Sequence, residues 1–219
     1  IFQTAAQDKP AAYRGVPEWR RRLRRAVRDP LTVTGFAFIV IWLLLALLAP
    51  LVTPYGPIDP DMAVRLQPPD SAHLFGTDQY GRDILTRVVY GARVSLLIGL
   101  ISVSISLAIG LPLGAIAGYT GGRTEQTIMR LMDMLLAFPA LVLAMAIAVS
   151  MGRGLISAMV GVGIVGIPDF ARLMHGQAIS IRQKDFVEAA RALGSGDRRI
   201  ILRHVIPNAI SPIIVRATL

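Results

Sequence analysis

Few side chains in this sequence combine a type and a spacing that could do covalent chemistry. There is no cysteine, which removes thiolate catalysis, disulfides and Cys-ligated zinc or iron–sulfur sites. His73, His175 and His204 are far apart and fall in different loops, so they offer neither metal-ligand spacing nor a Ser–His–Asp arrangement. Gly161-Val162-Gly163-Ile164-Val165-Gly166 matches G-x-G-x-x-G in form. A dinucleotide site, however, needs a preceding strand, a helix opening on the glycines and an acidic residue about 20 positions on, and here the match lies inside an apolar stretch. No G-x-x-x-x-G-K-S/T phosphate loop occurs, so any ATP used would be hydrolysed by another chain. What remains is sparse charge in apolar surroundings. Asp133 follows Arg130 by three residues and Asp169 precedes Arg172 by three, spacings at which each pair can meet on one helix face. Arg216 could touch an anionic substrate group or pair with a neighbouring helix. A ladder of buried carboxylates, the mark of a proton-driven pump, is absent from the sequence.

The surroundings of these charges define the fold class. Charged residues are 17% of the 219 and apolar residues 53%, with a formal net charge of +9; a soluble domain carries about 25% charged residues. Five stretches hold no charge at all: Leu31–Ile58, Val94–Gly122, Met134–Gly152, Gly154–Pro168 and Val205–Val215. This excludes a soluble α/β enzyme, and the apolar content excludes disorder. A hydrocarbon core about 30 Å thick needs roughly 20 apolar helical residues. The expected spans are Leu31–Leu51, about Val94–Gly118, about Leu131–Ser150, a short Gly-rich one at about Leu155–Ala171, and the start of a fifth near Asn208. With the N-terminus inside, 17 Lys and Arg lie on the cytoplasmic side and 5 outside, which the positive-inside rule favours. Arg20, Arg21, Arg22, Arg24, Arg25 and Arg28 then anchor the first span beside anionic lipid; no element capable of reading nucleic acid accompanies them. The apolar run that follows is too long for a cleaved signal. Ile1 is not an initiator Met, and the last charge-free run is too short to cross a bilayer alone, so a truncated chain is expected.

Within the spans, Gly110, Gly114 and Gly118 form the small-xxx-small spacing that lets helix backbones approach, and Pro112 is expected to kink its helix. Outside, residues 52–93 begin Pro-rich and then form a helix from Asp83 into the second span, with Arg82, Asp83 and Arg87 able to pair across a turn; this loop could cap the bundle or contact a soluble partner. Inside, residues 172–207 form the longest loop. Asp185 and Glu188 read as the N-cap and N3 residues of an acidic capping box. Phe186, Ala189, Ala190 and Leu193 fall at i, i+3, i+4 and i+7 as one apolar stripe, and Gly194 is a natural C-terminal stop. Asp197 can cap a second helix, Arg198–His204, which Pro207 separates from the fifth span. A two-turn helix is marginal alone in water, so its stripe must dock on the membrane or in a partner's groove.

Glu188-Ala189-Ala190, Gly194 and Pro207 together resemble the EAA loop of ABC importer permeases, whose pattern is EAA-x3-G-x9-I-x-L-P; His204 and Ile206 stand at the Ile and Leu positions. Gly76-Thr-Asp-Gln-Tyr-Gly-Arg-Asp83, Gly91-Ala-Arg-Val-Ser95, Gly118-Tyr-Thr-Gly-Gly122, Asp133 with Ala137-Phe-Pro139, and His204-Val-Ile-Pro-Asn208 look like the dipeptide/oligopeptide/nickel branch, C-type subunit. The resemblance covers about Asp29 to Leu219. It implies an all-α polytopic bundle of the type I importer class, with a basic segment at 1–30, a first span and external loop at 31–93, and a permease core at 94–219 that is cut short, six spans being expected in the full subunit. It implies a multi-pass protein of the bacterial cytoplasmic membrane that is no enzyme and holds no cofactor. Its expected partners are a homologous permease subunit, two cytoplasmic ATPase subunits that bind ATP and Mg, an extracytoplasmic binding protein and the lipid bilayer, with no nucleic acid. Asp185, Phe186, Glu188, Ala189, Ala190, Leu193, Gly194 and Pro207 would form the ATPase-coupling helix and its flanks. Peptide is the expected cargo, with nickel or another small solute as the alternative. A secondary transporter, an intramembrane enzyme and an assembly scaffold fit less well.

Overall fold

The computed structural model describes residues 29–218; the arginine cluster Arg20 to Arg28 lies outside the described residues. Among the described residues the regular structure is helical, apart from one isolated antiparallel bridge between Thr77 and Asp83. Four helices are long and apolar enough to cross a membrane, and a bent helix pair makes five. The chain divides between Arg93 and Val94 into two compact units.

In the first unit, α1 (Pro30–Leu47) starts where Asp29 accepts hydrogen bonds from the Thr32 backbone N–H and hydroxyl, with Pro30 in the first turn. The expected Leu31–Leu51 span is interrupted at Leu48, and α2 (Ala49–Val52) follows. Pro50 accounts for the break, because its ring clashes with the carbonyl four residues back. The loop between α2 and the next helix is organised by two carboxylates. Asp78 accepts from the backbone N–H groups of Tyr80 (2.7 Å) and Arg82 (3.1 Å) and from the Arg87 guanidinium. Asp83 accepts from the Thr86 N–H and hydroxyl, both at 2.7 Å, and lies 3.1 Å from His73 Nδ1. The arginines therefore pair with Asp78 and not with Asp83, which is taken up as the cap of the next helix. Burial pushes the Asp83 carboxyl up, but the Thr86 and His73 bonds outweigh it and hold it below the usual range.

The second unit is built on a seam between α3 (Ile84–Thr120) and α6 (Leu155–Arg182). Small residues recur every fourth position along α3, at Ser102, Ser106, Gly110, Gly114 and Gly118. The Ser102 hydroxyl donates to the Met159 carbonyl (2.9 Å) and the Ser106 hydroxyl to the Gly163 carbonyl (2.6 Å). A Cβ at Gly110 would lie 2.6 Å from the Ile167 carbonyl oxygen; at Gly114 and Gly118 it would collide with the carbonyls of Ala171 and His175. Each step of four on α3 matches a step of four on α6, so the two helices run parallel in constant register. Parallel neighbours require the chain between them to return. That return is α4 (Gly122–Leu136) followed by α5 (Ala140–Ser150), bent by 90°. Their contacts with α6 run antiparallel: Glu125 with His175, Asp133 with Arg172, Ala144 with Gly161.

Several expected boundaries change here. The second span reaches back to Ile84 and stays helical through Pro112. The third is not one straight helix, because Pro139 disfavours helical geometry at Phe138 and starts α5 as its N-cap. The fourth does not end at Ala171 but continues to Arg182, its added turns carrying charges that meet partners on other helices. Asp133 pairs with Arg172 (2.5 Å) and not with Arg130; Asp169 pairs with Arg216 (2.7 Å) and not with Arg172. After α7 (Asp185–Ala192) and α8 (Asp197–Ile200), a π-helical turn, Ile201–Val205, leads without a break into α9 (Ile206–Thr218). Pro207 thus does not separate a loop helix from the fifth span. A proline crowds the carbonyl four residues before it; the π turn relieves this, and the Asn208 side chain donates to the His204 carbonyl (2.6 Å).

Gly114→Val should lower the melting temperature of the detergent-solubilised protein or prevent its accumulation, since overpacking costs about 1–3 kcal/mol. Gly99→Val, on the same helix where a Cβ meets nothing within 4 Å, should be tolerated. For the loop before α3, a carboxyl with a depressed folded pKa stabilises above its unfolded value of about 3.9, and that contribution is lost as pH falls through the folded value. The protection factors of the backbone amides at residues 61–83 should therefore fall below about pH 4, and Asp83→Ala should lower their opening energy at neutral pH by about 1 kcal/mol.

Candidate functional site

The helix α7 has eight residues, Asp185–Ala192, too few to persist without tertiary support. Lys184, in extended conformation, is its N-cap and makes no side-chain bond. Asp185 is consequently the first helical residue and Glu188 the fourth, and the expected capping box does not form. Both carboxylates still lie in the first turn, where the positive end of the helix dipole favours them. At the other end Gly194 adopts φ +79°. Its N–H donates to Arg191 O (2.9 Å) and the Ser195 N–H to Ala190 O (3.0 Å), the paired bonds of a Schellman stop.

The apolar stripe divides between two faces. Val187 (0% exposed) and Ala190 turn inward and join a core with Met174, Ala178, Ile200, Val205 and Ala209. Burying a valine side chain contributes about 1.5–3 kcal/mol, enough to hold this short helix against α6 and α8. Phe186 (43%), Ala189 and Leu193 (87%) face outward, at i, i+3 and i+7. The Phe186 ring centroid is 6.3 Å from that of His204, while Pro207 is exposed in the first turn of α9.

Hydrogen bonds centred on Tyr119, at the end of the α3 seam, reinforce the attachment. Its hydroxyl donates to Asp197 Oδ1 (2.9 Å) and accepts from Arg191 Nη2 of α7 (3.1 Å); its carbonyl accepts from Arg182 Nη1 of α6 (3.0 Å). The Arg191 guanidinium also lies 5.7 Å from the Tyr119 ring centroid. The Tyr119 hydroxyl, with Asp197 and Glu188 nearby, holds Arg191 above its ordinary pKa. With Thr120, Gln183 and Glu188 these groups line a polar cavity of about 610 Å³ at the base of α7. The arrangement provides no nucleophile with an oriented base; it provides a small helix, apolar outside, fastened to two long spans.

The sequence marks α7 and its outward residues but not Val187, Arg182 or Arg191, nor the joining role of Tyr119; Asp197, expected to cap the next helix, is its first residue and accepts from Tyr119 instead. Val187 falls between the positions of the stripe. Tyr119 falls within the Gly118-Tyr-Thr-Gly-Gly122 segment that carries the resemblance, but its partners are 63 to 78 positions away. Arg216, the candidate substrate contact, is paired with Asp169 on α6.

Comparison with known proteins places these features in a family. Residues 110–219 match the model of the binding-protein-dependent transport system inner membrane component, and residues 18–69 match the N-terminal TM domain of oligopeptide transport permease C. The chain is 42% identical to the dipeptide transport system permease protein DppC of Alkalihalophilus pseudofirmus, over 94% of this chain and 68% of that protein. It is 43% identical to the probable D,D-dipeptide transport system permease protein DdpC of Escherichia coli, over 87% and 64%. It is 34% identical to the oligopeptide transport system permease protein OppC of Bacillus subtilis, over 92% and 66%. The chain thus spans about two thirds of the length of these relatives. The matched model over residues 110–219 and the identity to these permeases carry the assignment: the chain is a member of the binding-protein-dependent transport system inner membrane components.

Proposed function

We propose that the chain is a pore-forming subunit of an ATP-binding-cassette importer that moves peptides across the bacterial cytoplasmic membrane by alternating access. It performs no covalent chemistry and holds no cofactor. Two cytoplasmic ATPase subunits bind ATP and Mg and hydrolyse the nucleotide, a homologous permease subunit completes the pathway, and an extracytoplasmic binding protein delivers substrate. The N-terminus is cytoplasmic, which places the loop between α6 and α9 on the ATPase side. The relatives named as dipeptide and oligopeptide permeases support peptide as cargo, and no observation favours nickel.

The observation that carries this reading is the two-faced α7. Its inward residues join it to the spans, and its outward Phe186, Ala189 and Leu193 present the spacing used in helix-in-groove recognition. ATP-driven rearrangement of the partners can shift the permease equilibrium only through an interaction that differs between its states. A docked α7, fixed through Tyr119 and Arg191 to the ends of α3 and α6, transmits that difference to the spans.

Glu188→Arg places a third guanidinium beside Arg182 and Arg191, and Gly194→Pro removes both the positive φ and the N–H bonded to Arg191. Either should leave insertion intact and abolish ATP-dependent uptake in vesicles of the complete transporter; unchanged uptake in both would sink the coupling role. Tyr119→Phe keeps the buried ring but loses two charge-assisted hydrogen bonds. Peptide transported per ATP hydrolysed should fall about tenfold, and an unchanged ratio would remove Tyr119 from the mechanism.

A further inference from the structure

The Asp169–Arg216 ion pair stands at a depth where charge is costly. In the seam register Asp169 is level with Pro112, four residues past the middle of the Val94–Gly122 charge-free run. At about 1.5 Å per residue this puts Asp169 about 6 Å from the centre of that run, inside a hydrocarbon core about 30 Å thick. Met159, Gly163, Ile167, Ala171 and His175 face α3; Asp169, two residues from its nearest seam neighbours, points the opposite way. An exposed stripe runs along that side of α6 through Val162, Asp169, Arg172, Gly176 and Ser180, apolar above Asp169 and polar below it. The side chains of Asp169 and Arg216 are 48% and 49% accessible. The Asp133–Arg172 pair, one turn nearer the Arg182 end, is similarly open. Charges at this depth face protein or water, not acyl chains.

We propose that this side of α6 lines the translocation pathway and that Asp169 and Arg216 hold a zwitterionic substrate in transit. The assignment rests on the peptide-importer reading and names the part of the pathway that recognises the peptide's ends. The pair is neutral as a whole yet presents both signs, so a free anion or cation would meet one like charge. A short peptide with free termini meets neither conflict: its ammonium takes Asp169 and its carboxylate takes Arg216. One charge-assisted pair is exchanged for two of the same kind, which makes the site shallow enough to release its occupant. Asp133 and Arg172 repeat the arrangement one turn further along.

The test uses the complete transporter in proteoliposomes, with its binding protein, ATP and a radiolabelled dipeptide. The variant Asp169→Asn/Arg216→Gln, with both charges exchanged for amides, keeps a hydrogen-bonding pair between α6 and α9 but removes the charges a zwitterion would meet. Binding-protein-stimulated ATP hydrolysis should persist while uptake falls at least about tenfold; uptake at the unsubstituted level would show a purely structural pair and overturn the proposal. An independent measurement keeps the pair intact. Gly176→Cys introduces the sole thiol into a Cys-free chain, at a position where a Cβ meets nothing within 4 Å. It should react with a membrane-impermeant thiol reagent in the assembled complex. No reaction in both the nucleotide-free and nucleotide-trapped states would mean that protein covers this side, which also overturns the proposal even if the amide variant fails to assemble. Absence of dipeptide uptake by the unsubstituted transporter would instead refute the peptide-importer reading, leaving thiol reactivity to decide the placement.

Discussion

The backbone contact between α3 and α6 is the constraint on which the second unit depends. Within a bilayer there is no hydrophobic drive to bring helices together, so close packing and interhelical hydrogen bonds must do so. Here five small residues on one helix meet five consecutive turns of the other, the upper two through hydroxyl donation and the lower three through the absence of a side chain. The resulting register makes the helices parallel, and parallel neighbours compel the intervening chain to cross back. The sharp bend at Ala137–Pro139 is tolerated because α4 and α5 both run along α6.

The same seam explains how a two-turn helix can act over a distance. Gly118 ends the close approach, and Tyr119 follows immediately, so the tightest part of the spans adjoins the joint that receives α7. Val187 and Ala190 pack the helix from below while Arg191 and Asp197 fix it through the Tyr119 hydroxyl. In the proposed transporter, displacement of α7 by a docked partner would move α3 and α6 together. The ion pairs on the far side of α6 lie on the same helix as this joint.

Much of this was legible in the sequence, for identifiable reasons. Charge-free runs located the spans, since the cost of burying charge in lipid leaves a one-dimensional trace. Glycines spaced by four announced a close helix contact, but not its partner, and the two serines that extend the ladder carry no comparable signal. The stop at Gly194 was readable because positive φ selects glycine. Helix ends were not: α6 continues past Ala171 because Arg172 and His175 find Asp133 and Glu125 on α4, partners 39 and 50 positions away. For the same reason the local ion pairs Arg130–Asp133 and Asp169–Arg172 gave way to contacts between helices. A capping box at Asp185 fitted the spacing, yet the chain enters α7 one residue earlier, at Lys184. The division of the apolar stripe into an inner and an outer face depends on where α6 and α8 lie.

The proposed coupling requires that α7 and the α3–α6 seam move as one body. It is tested most directly by spin-label distances within the complete transporter, with labels at Gly99→Cys on α3 and Ala192→Cys on α7, both exposed positions in a chain free of other thiols. The account predicts that this distance is the same in the nucleotide-free and nucleotide-trapped states, within the width of its distribution, while a label at Gly99→Cys moves relative to the second permease subunit. A change in the distance between Gly99 and Ala192 that accompanies nucleotide trapping would show α7 hinging on the spans, and would contradict the account.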